Sequence, residues 1–479
     1  MISDLNTYNN QEKLKADICI VGGGVMGIAI AYCFLNSNQR VLIVESGGEE
    51  PSASTQRLNE VIHLGIKPIF NGAVSRQRVA GGSSNCWEGY NIPFDQHVVD
   101  EWPCRAKGLT PYWQKVHDFL QLEGFWEGFD KPHEYIEDKV SFAASLAPLK
   151  LQMRQQHGIR LWQSYRSLFL KSKNIEFMFN ANLTGLGLQK DSSTVKEVYV
   201  SNLHSKSAVI NATKYVIATS GIGNSSLLLN LDRRLDGALL KGNKNIGRYF
   251  ADHVEIHDRF IPHVCFPGFR SLKKSSLGVQ KFLRPHFRLL NGGTGKPLFI
   301  DHAIELKPDS PKTASDFCNE GVPSVGGGIG SFLFAPTPYN ESRIYLSERK
   351  NALGFNLPVV DWKQHPGDKQ KTVDLARKVE KTLLIKGIGR VSFSKRLQEG
   401  RLHGRWDENG SCYNGKHWMG GTRMGSSFEN SIVDKNCKLW GVDNLYIAGA
   451  SVFPSFGWPG PTYTALGLSM RLASHLDNA

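Results

Sequence analysis

The sequence predicts an α/β protein: a Rossmann-like nucleotide-binding domain with a second, α+β lobe beside it. Three observations predict it. An apolar strand, a glycine turn, a helix of small residues and a second β-branched strand follow one another within Ala16–Ser46. Strand-like runs from Asn174 onward end in another strand-to-helix passage at Tyr215–Asn224. A further strand, turn and helix close the chain from Leu445.

Ile18–Val21 is the first strand, and Gly22, Gly24 and Gly27 follow it at GxGxxG spacing. The first glycine permits the turn, the second lets the backbone approach a pyrophosphate, and the third lets the helix lie close to the strand. The helix is expected to run to about Leu35, with Val25 and Met26 in its first turn. Its N-terminus offers unpaired N–H groups and partial positive charge to phosphates. Val41–Val44 is the second strand, ended by Glu45 and Ser46. A carboxylate there, about 20 residues past the glycines, takes ribose hydroxyls. The flanking strand, helix and acid separate this motif from an ordinary glycine turn. They do not choose between FAD and NAD.

A polar, helix-poor stretch follows to about Val79. Gly81, Gly82, Ser83, Asn85, Cys86 and Trp87 then form a loop that can lie flat against a ligand and donate to it. Tyr112–Gln121 reads as a helix. The alternating runs from Asn174 read as a small antiparallel unit whose last strand, into Ser220, Gly221 and Asn224, can rejoin the first sheet. Residues 251–405 are mixed, with one clear helix at Lys369–Leu384, and are expected to close over the ligand as a separate lobe. Gly326–Gly330 lacks the third fingerprint glycine, which is Ser331, and reads as a glycine-rich strand or loop. At the C-terminal end Leu445–Ala448 is a buried strand, Gly449-Ala450-Ser451 turns it, and a helix starts at Thr462 after Pro459-Gly460-Pro461.

Composition narrows the function. The chain has 479 residues and a net charge of +13, but Lys and Arg are spread throughout and no recognition motif accompanies them. A solvated basic surface is the expectation, and nucleic acid is not an expected partner. The eight cysteines include no CxxC pair, which favours reduced thiols over a disulfide framework or a metal site. No apolar run approaches the roughly 18 residues of a membrane span. The polar N-terminal stretch has no apolar signal core, so a cytoplasmic protein is expected.

The ordered motifs resemble one family. They are the fingerprint with Glu45, GGSSNCW, Glu101-Trp102-Pro103 with Pro111-Tyr112, ATSGIGNSSLLL, Asn245–Phe250, Ser342–Ser347, HWMGGTRMG from His417, and the C-terminal strand and helix. Together they are similar to bacterial members of the glucose-methanol-choline (GMC) oxidoreductases. The resemblance implies FAD, and hydride transfer from an alcohol carbon to flavin N5. It implies a discontinuous FAD-binding domain of the GMC type over residues 14–110, 172–255 and 410–479. A substrate-binding cap on an antiparallel sheet would occupy 111–171 and 256–409. His417 matches the family's catalytic base, an imidazole that can take a hydroxyl proton. Gly81, Gly82, Ser83 and Asn85 match the flavin-facing loop, and Ala450, Ser451, Pro461 and Thr462 match positions near the ribityl chain and pyrimidine ring.

Two departures stand out. The family's second catalytic His or Asn matches Gly460, which has no side chain. Losing one such donor is worth about 10²–10³ in rate, and His253, His263 and His302 are candidates to replace it. Cys86 occupies a loop in which some relatives link a His to the flavin; a thioether and a small packed thiol are the two readings. The resulting expectation is oxidation of a sugar-like or specialised-metabolite alcohol or glycoside, with oxygen or another carrier as electron acceptor. A lyase, isomerase or cyclase using the His417 base without net oxidation is the alternative, and a noncatalytic flavin-bound protein is the third reading.

Overall fold

A computed structural model describes residues 1–66, 75–87, 89, 91–122, 149–156, 158–190, 193–262, 271–272, 281–291, 298–299, 302–308, 328–385, 389–392, 411–414 and 417–478. Its central sheet grows from the two most apolar strands. In β2 (Glu12–Val21) the C-terminal residues 18–21 are buried, and β3 (Val41–Val44) is buried throughout. Strands apolar on both sides belong inside a parallel sheet covered on both faces. They pair in parallel, Ile18 to Val41 through Val21 to Val44.

The sheet continues outward on each side. Beyond β3 lie β6 (Ile175–Phe179) and the short β1 (Ile2–Asp4), both parallel. Beyond β2 lies the long β9 (Ser207–Ile217), also parallel, with β20 (Leu445–Ile447) parallel to its end. The start of β9 joins β8 (Val195–Ser201) and β7 (Asn182–Leu188) as an antiparallel meander. The order is β1-β6-β3-β2-β9-β8-β7, with β20 on β9. The antiparallel unit expected from Asn174 is therefore divided: Ile175–Phe179 is a parallel neighbour of β3, because its nearly uniform burial suits an inner strand. Residues 207–217 form one continuous strand, β9. Strand β1 was not expected from its polar surroundings.

Helix α1 (Val25–Cys33) leaves the fingerprint and buries Gly27–Ala31 against the sheet. It ends two residues before the expected Leu35, where the Phe34 N–H turns back to the carbonyl of Ala31 at 3.0 Å and the Asn174 amide sits 2.8 Å from the Phe34 carbonyl. Shorter helices α2 (Ala53–Arg57), α3 (Gln96–Asp100), α4 (Trp113–Phe119) and α5 (Leu161–Lys171) follow. Helix α6 (Gly221–Arg234) leaves β9. The last helix, α8 (Thr462–Asn478), starts at the expected residue and packs on α1 and α4.

A second sheet is antiparallel. Its path is β11 (Ser271–Leu272), β12 (Lys281–Asn291), β14 (His302–Pro308), β15 (Gly328–Phe334), β10 (Val254–Pro262) and β18 (Gly389–Ser392). Strands β5 (Leu149–Gln156) and β13 (Leu298–Phe299) pair with β12, and β19 (Ser411–Asn414) pairs with β10. The end of the glycine-rich run is thus strand β15. The hairpin of β16 (Arg343–Lys350) and β17 (Asn356–Trp362) pairs with β4 (Ile62–Gly65) and packs on α6. The helix expected at 369–384 is α7 (Asp368–Ile385). Among the described residues no helix is long and apolar enough to cross a membrane, and no cluster of three or more His, Cys, Asp or Glu is arranged to hold a metal.

Candidate active site

The site begins where β2 ends. Gly22 takes φ of +111°, and a β-carbon there would stand 2.6 Å from the Ala218 carbonyl oxygen at the end of β9. A β-carbon on Gly27 would run into the Gly22 carbonyl oxygen, so α1 can start this close to the turn only with glycine. Glu45 is buried and accepts from the Gly23 N–H at 2.7 Å and the Gly47 N–H at 2.8 Å. Burial pushes its carboxyl above the usual range, opposed by those N–H groups and by Arg78.

The loop expected to face the ligand ring lies against the fingerprint. The Gly81 N–H donates to the Gly23 carbonyl at 2.9 Å. A β-carbon on Gly82 would stand 3.0 Å from the Gly24 α-carbon. A β-carbon on Gly24 would meet nothing closer than the Gly82 α-carbon at 3.9 Å, so the protein itself leaves that space open. Asn85 braces the loop, donating to the carbonyls of Ala80 at 2.9 Å and Gly82 at 3.0 Å, and Ser83 lies within the same tight turn. Cys86 is exposed, with Sγ 3.5 Å from the Ser83 carbonyl. Trp87 points away to the Ile159 carbonyl at 2.8 Å. Ser46 accepts from Arg78 at 2.9 Å, and Arg78 also donates to Asn59 at 2.9 Å. Sequence reasoning passed over Arg78 and Asn59 because they lie in the polar stretch that carried no motif.

The passage from β9 into α6 grips the C-terminal turn. Ser220 takes φ of +84°, and Gly221 would meet the Trp418 carbonyl at 2.6 Å if it had a β-carbon. The Asn224 amide bonds the Thr219 N–H at 2.7 Å, the Ala448 carbonyl at 2.9 Å and Ser451 Oγ at 2.8 Å. Its role is thus to position Ser451, which also receives Thr422 Oγ1 at 2.7 Å. Gly420 donates to the carbonyl of Ala450 at 3.1 Å. A β-carbon on Gly449 would stand 3.6 Å from Met26 Cγ, and the Pro461 carbonyl accepts from Ala465 at 2.9 Å as α8 opens at Thr462.

Two histidines meet beside this turn. Ala251 and Met419 exchange both backbone hydrogen bonds at 2.9 Å. In an antiparallel bridge the residues two places further out face each other, and these are His253 and His417. Their Nδ1 atoms are 2.9 Å apart, with the rings at 83°. Asp252 Oδ1 accepts the backbone N–H of His253 at 2.8 Å and of His417 at 2.7 Å. His253 Nε2 is 2.6 Å from the Gly457 carbonyl oxygen. On the other side of His417, Nε2 is 3.4 Å from where a Gly460 β-carbon would stand. Of the three histidines suggested as replacements, His253 meets His417. His263 lies outside the described residues, and only the backbone of His302 is described. Asp252 was missed, because an Asp-His pair has no signal until the bridge places it.

These residues fit FAD. The first turn of α1 has N–H groups without intrahelical partners, Gly24 leaves a cradle that a side chain would fill, and Glu45 ends β3 beside it. Comparison with known proteins agrees. Residues 17–323 match the family model described as FAD dependent oxidoreductase, and residues 338–469 match that described as GMC oxidoreductase. A 2-methyl-1,2-propanediol dehydrogenase of Mycolicibacterium austroafricanum is 24% identical over 287 residues, spanning 56% of this chain and 48% of the relative. An uncharacterised GMC-type oxidoreductase of Rhodococcus erythropolis is 20% identical over 96% of this chain and 98% of its own length. Among solved structures, Aspergillus oryzae formate oxidase superposes with a TM-score of 0.67 at 15% identity, covering 98% of this chain and 99% of that one. Pyridoxine 4-oxidase from Mesorbium loti superposes with a TM-score of 0.65 at 15% identity, over 96% and 99%.

Proposed function

Because the chain belongs to the FAD-dependent oxidoreductases of the GMC type, with FAD as cofactor, we propose that it oxidises a CH–OH group of a small-molecule alcohol, with His417 as the base. Bound FAD supplies the acceptor for the hydride that leaves the carbinol carbon. The protein's residues do the rest. The fingerprint turn and the first turn of α1 hold the diphosphate, and Glu45 takes ribose hydroxyls. His417 Nε2 receives the hydroxyl proton as the C–H bond breaks and the carbonyl forms, so the alcohol loses one proton and one hydride in all. The carrying observation is the position of His417: Nε2 faces the space over Gly460, the ring is backed by His253, and its backbone N–H is held by Asp252.

That backing also disfavours the lyase, isomerase or cyclase reading, whose main support was the lost partner at Gly460. The relatives' names point to a propanediol and to pyridoxine, which are small polar alcohols. The volume left by Gly460 supports a bulkier alcohol or glycoside. Oxygen or another carrier would then take the electrons from the reduced enzyme. The test is an anaerobic panel of polyols, glycosides and aromatic alcohols, followed by loss of the flavin absorbance. One class of alcohol is expected to bleach the native protein, and His417→Ala to slow that bleaching by about 10²–10⁴-fold. A His417→Ala chain that binds FAD and is reduced at the native rate would remove His417 from the reaction. Turnover of the true substrate with flavin absorbance unchanged would restore the non-redox reading.

A further inference from the structure

We propose that His253 is a positioning residue that holds His417 as the Nδ1–H tautomer, so that the Nε2 lone pair is the one facing the space over Gly460. The inference rests on the reading of His417 as the base and goes beyond it: it assigns the nitrogen that does the work and the group that selects it.

The proton positions are fixed from the far end of the pair. The Gly457 carbonyl oxygen can only accept, so His253 Nε2, 2.6 Å away, carries a hydrogen. A neutral imidazole has one N–H, so His253 Nδ1 is an acceptor. The atom 2.9 Å from it, His417 Nδ1, must therefore donate. His417 in turn has one N–H when neutral, so its Nε2 holds a lone pair. The escape from this order is a doubly protonated His253, which would bury a charge on a side chain that is 0% exposed.

The starting point of the relay is rigid. Gly457 is pressed against Phe94, where a β-carbon would come within 2.8 Å of the ring. The next residue, Trp458, donates its indole N–H to Asp95 at 3.0 Å. The carbonyl therefore cannot swing away, and both histidine backbones are held by the single oxygen Asp252 Oδ1. When His417 gains the substrate proton, its Nδ1–H bond to His253 becomes charge-assisted and stronger, so the same contact that selects the tautomer also supports the cationic ring. His253 thus supports the base from behind and leaves the substrate side clear; with both ring nitrogens engaged, it does not supply the donor lost at Gly460.

Two measurements test this. In native protein with ¹⁵N-labelled imidazoles, and with His417 assigned by its loss in His417→Gln, Nδ1 is expected at the protonated and Nε2 at the unprotonated nitrogen shift, both without and with FAD. A protonated Nε2 with a bare Nδ1 overturns the proposal on the unaltered chain, whatever the variants do. The second measurement compares His253→Asn with His253→Gln. Asn can present an amide oxygen near the place of Nδ1 and keep the acceptor for His417. Gln reaches instead toward the place of Nε2, keeping the bond to Gly457 and losing that acceptor. His253→Asn is expected within about tenfold of the native rate of flavin bleaching. His253→Gln is expected to lose about 10²–10⁴-fold, from the low end of acid–base catalysis up to the cost of a wrong tautomer, with KM little changed. Equal rates for Gln and native sink the positioning role alone, whereas native bleaching in His417→Ala sinks the base itself.

Discussion

At the residue scale the informative position is one with no side chain. Gly460 stands against His417, and a β-carbon there would lie 3.4 Å from Nε2, an ordinary van der Waals contact. Gly460→Ala should therefore fold and bind FAD as the native chain does. Its methyl group would occupy the approach to the base and displace the carbinol. A misplacement of about 1 Å costs on the order of 10² in rate, so kcat/KM for the best alcohol should fall by about that factor. Flavin content and thermal midpoint report whether the fold has held. An unchanged kcat/KM would mean that substrate does not enter over Gly460. His253 could be named from the sequence only as one of three candidate histidines; what sets it apart is the Ala251–Met419 bridge, which brings it to His417.

At the scale of elements, the fingerprint unit separates two uses of glycine that look identical in the sequence. Gly27 is needed by the protein, since a β-carbon would strike the Gly22 carbonyl oxygen. Gly24 is not needed by the protein's own packing, since its β-carbon would meet only the Gly82 α-carbon at 3.9 Å, and on the proposed reading it is the ligand that requires it. Gly27→Ala should destabilise the chain even without cofactor, measurably in the denaturant midpoint. Gly24→Ala should change cofactor-free stability by no more than about 1 kcal/mol, the scale of a helix N-cap change, while weakening FAD by about 10²-fold or more, read by titration. Comparable destabilisation by both would show that Gly24 also serves the fold. The elements that were legible in the sequence share this local character. The strand, turn and helix of 18–33 and the helix from Thr462 are set by neighbours in the chain. Strand direction is not local: Ile175–Phe179 has the apolar pattern of any inner strand, and only its partner β3 makes it parallel. The same limit hid Arg78, whose contacts with Ser46 and Asn59 join three separate segments.

At the scale of the whole molecule, the proposed cofactor site draws on pieces far apart in the chain. Gly24 comes from the turn that opens α1, Glu45 from the residue after β3, Gly82 from a loop, and Ser451 from the turn after β20, held by Asn224 of α6. Strands β2, β9 and β20 lie side by side, so a ligand bound at one end braces segments contributed by the other. Ligand that binds only the folded chain stabilises it by about 2.7 kcal/mol at 100 times its dissociation constant. That gain should be shared across the sheet. Adding FAD to cofactor-free protein should therefore slow amide hydrogen exchange in β20 and in the first turns of α8 as well as at residues 22–27. Gly24→Ala, at an FAD concentration that saturates the native chain, should keep the cofactor-free exchange pattern at all three places. Protection confined to residues 22–27 would mean that the C-terminal turn is not part of the cofactor site. Protection at β20 that survives in Gly24→Ala would mean that FAD is held from the C-terminal side, with the fingerprint contributing little.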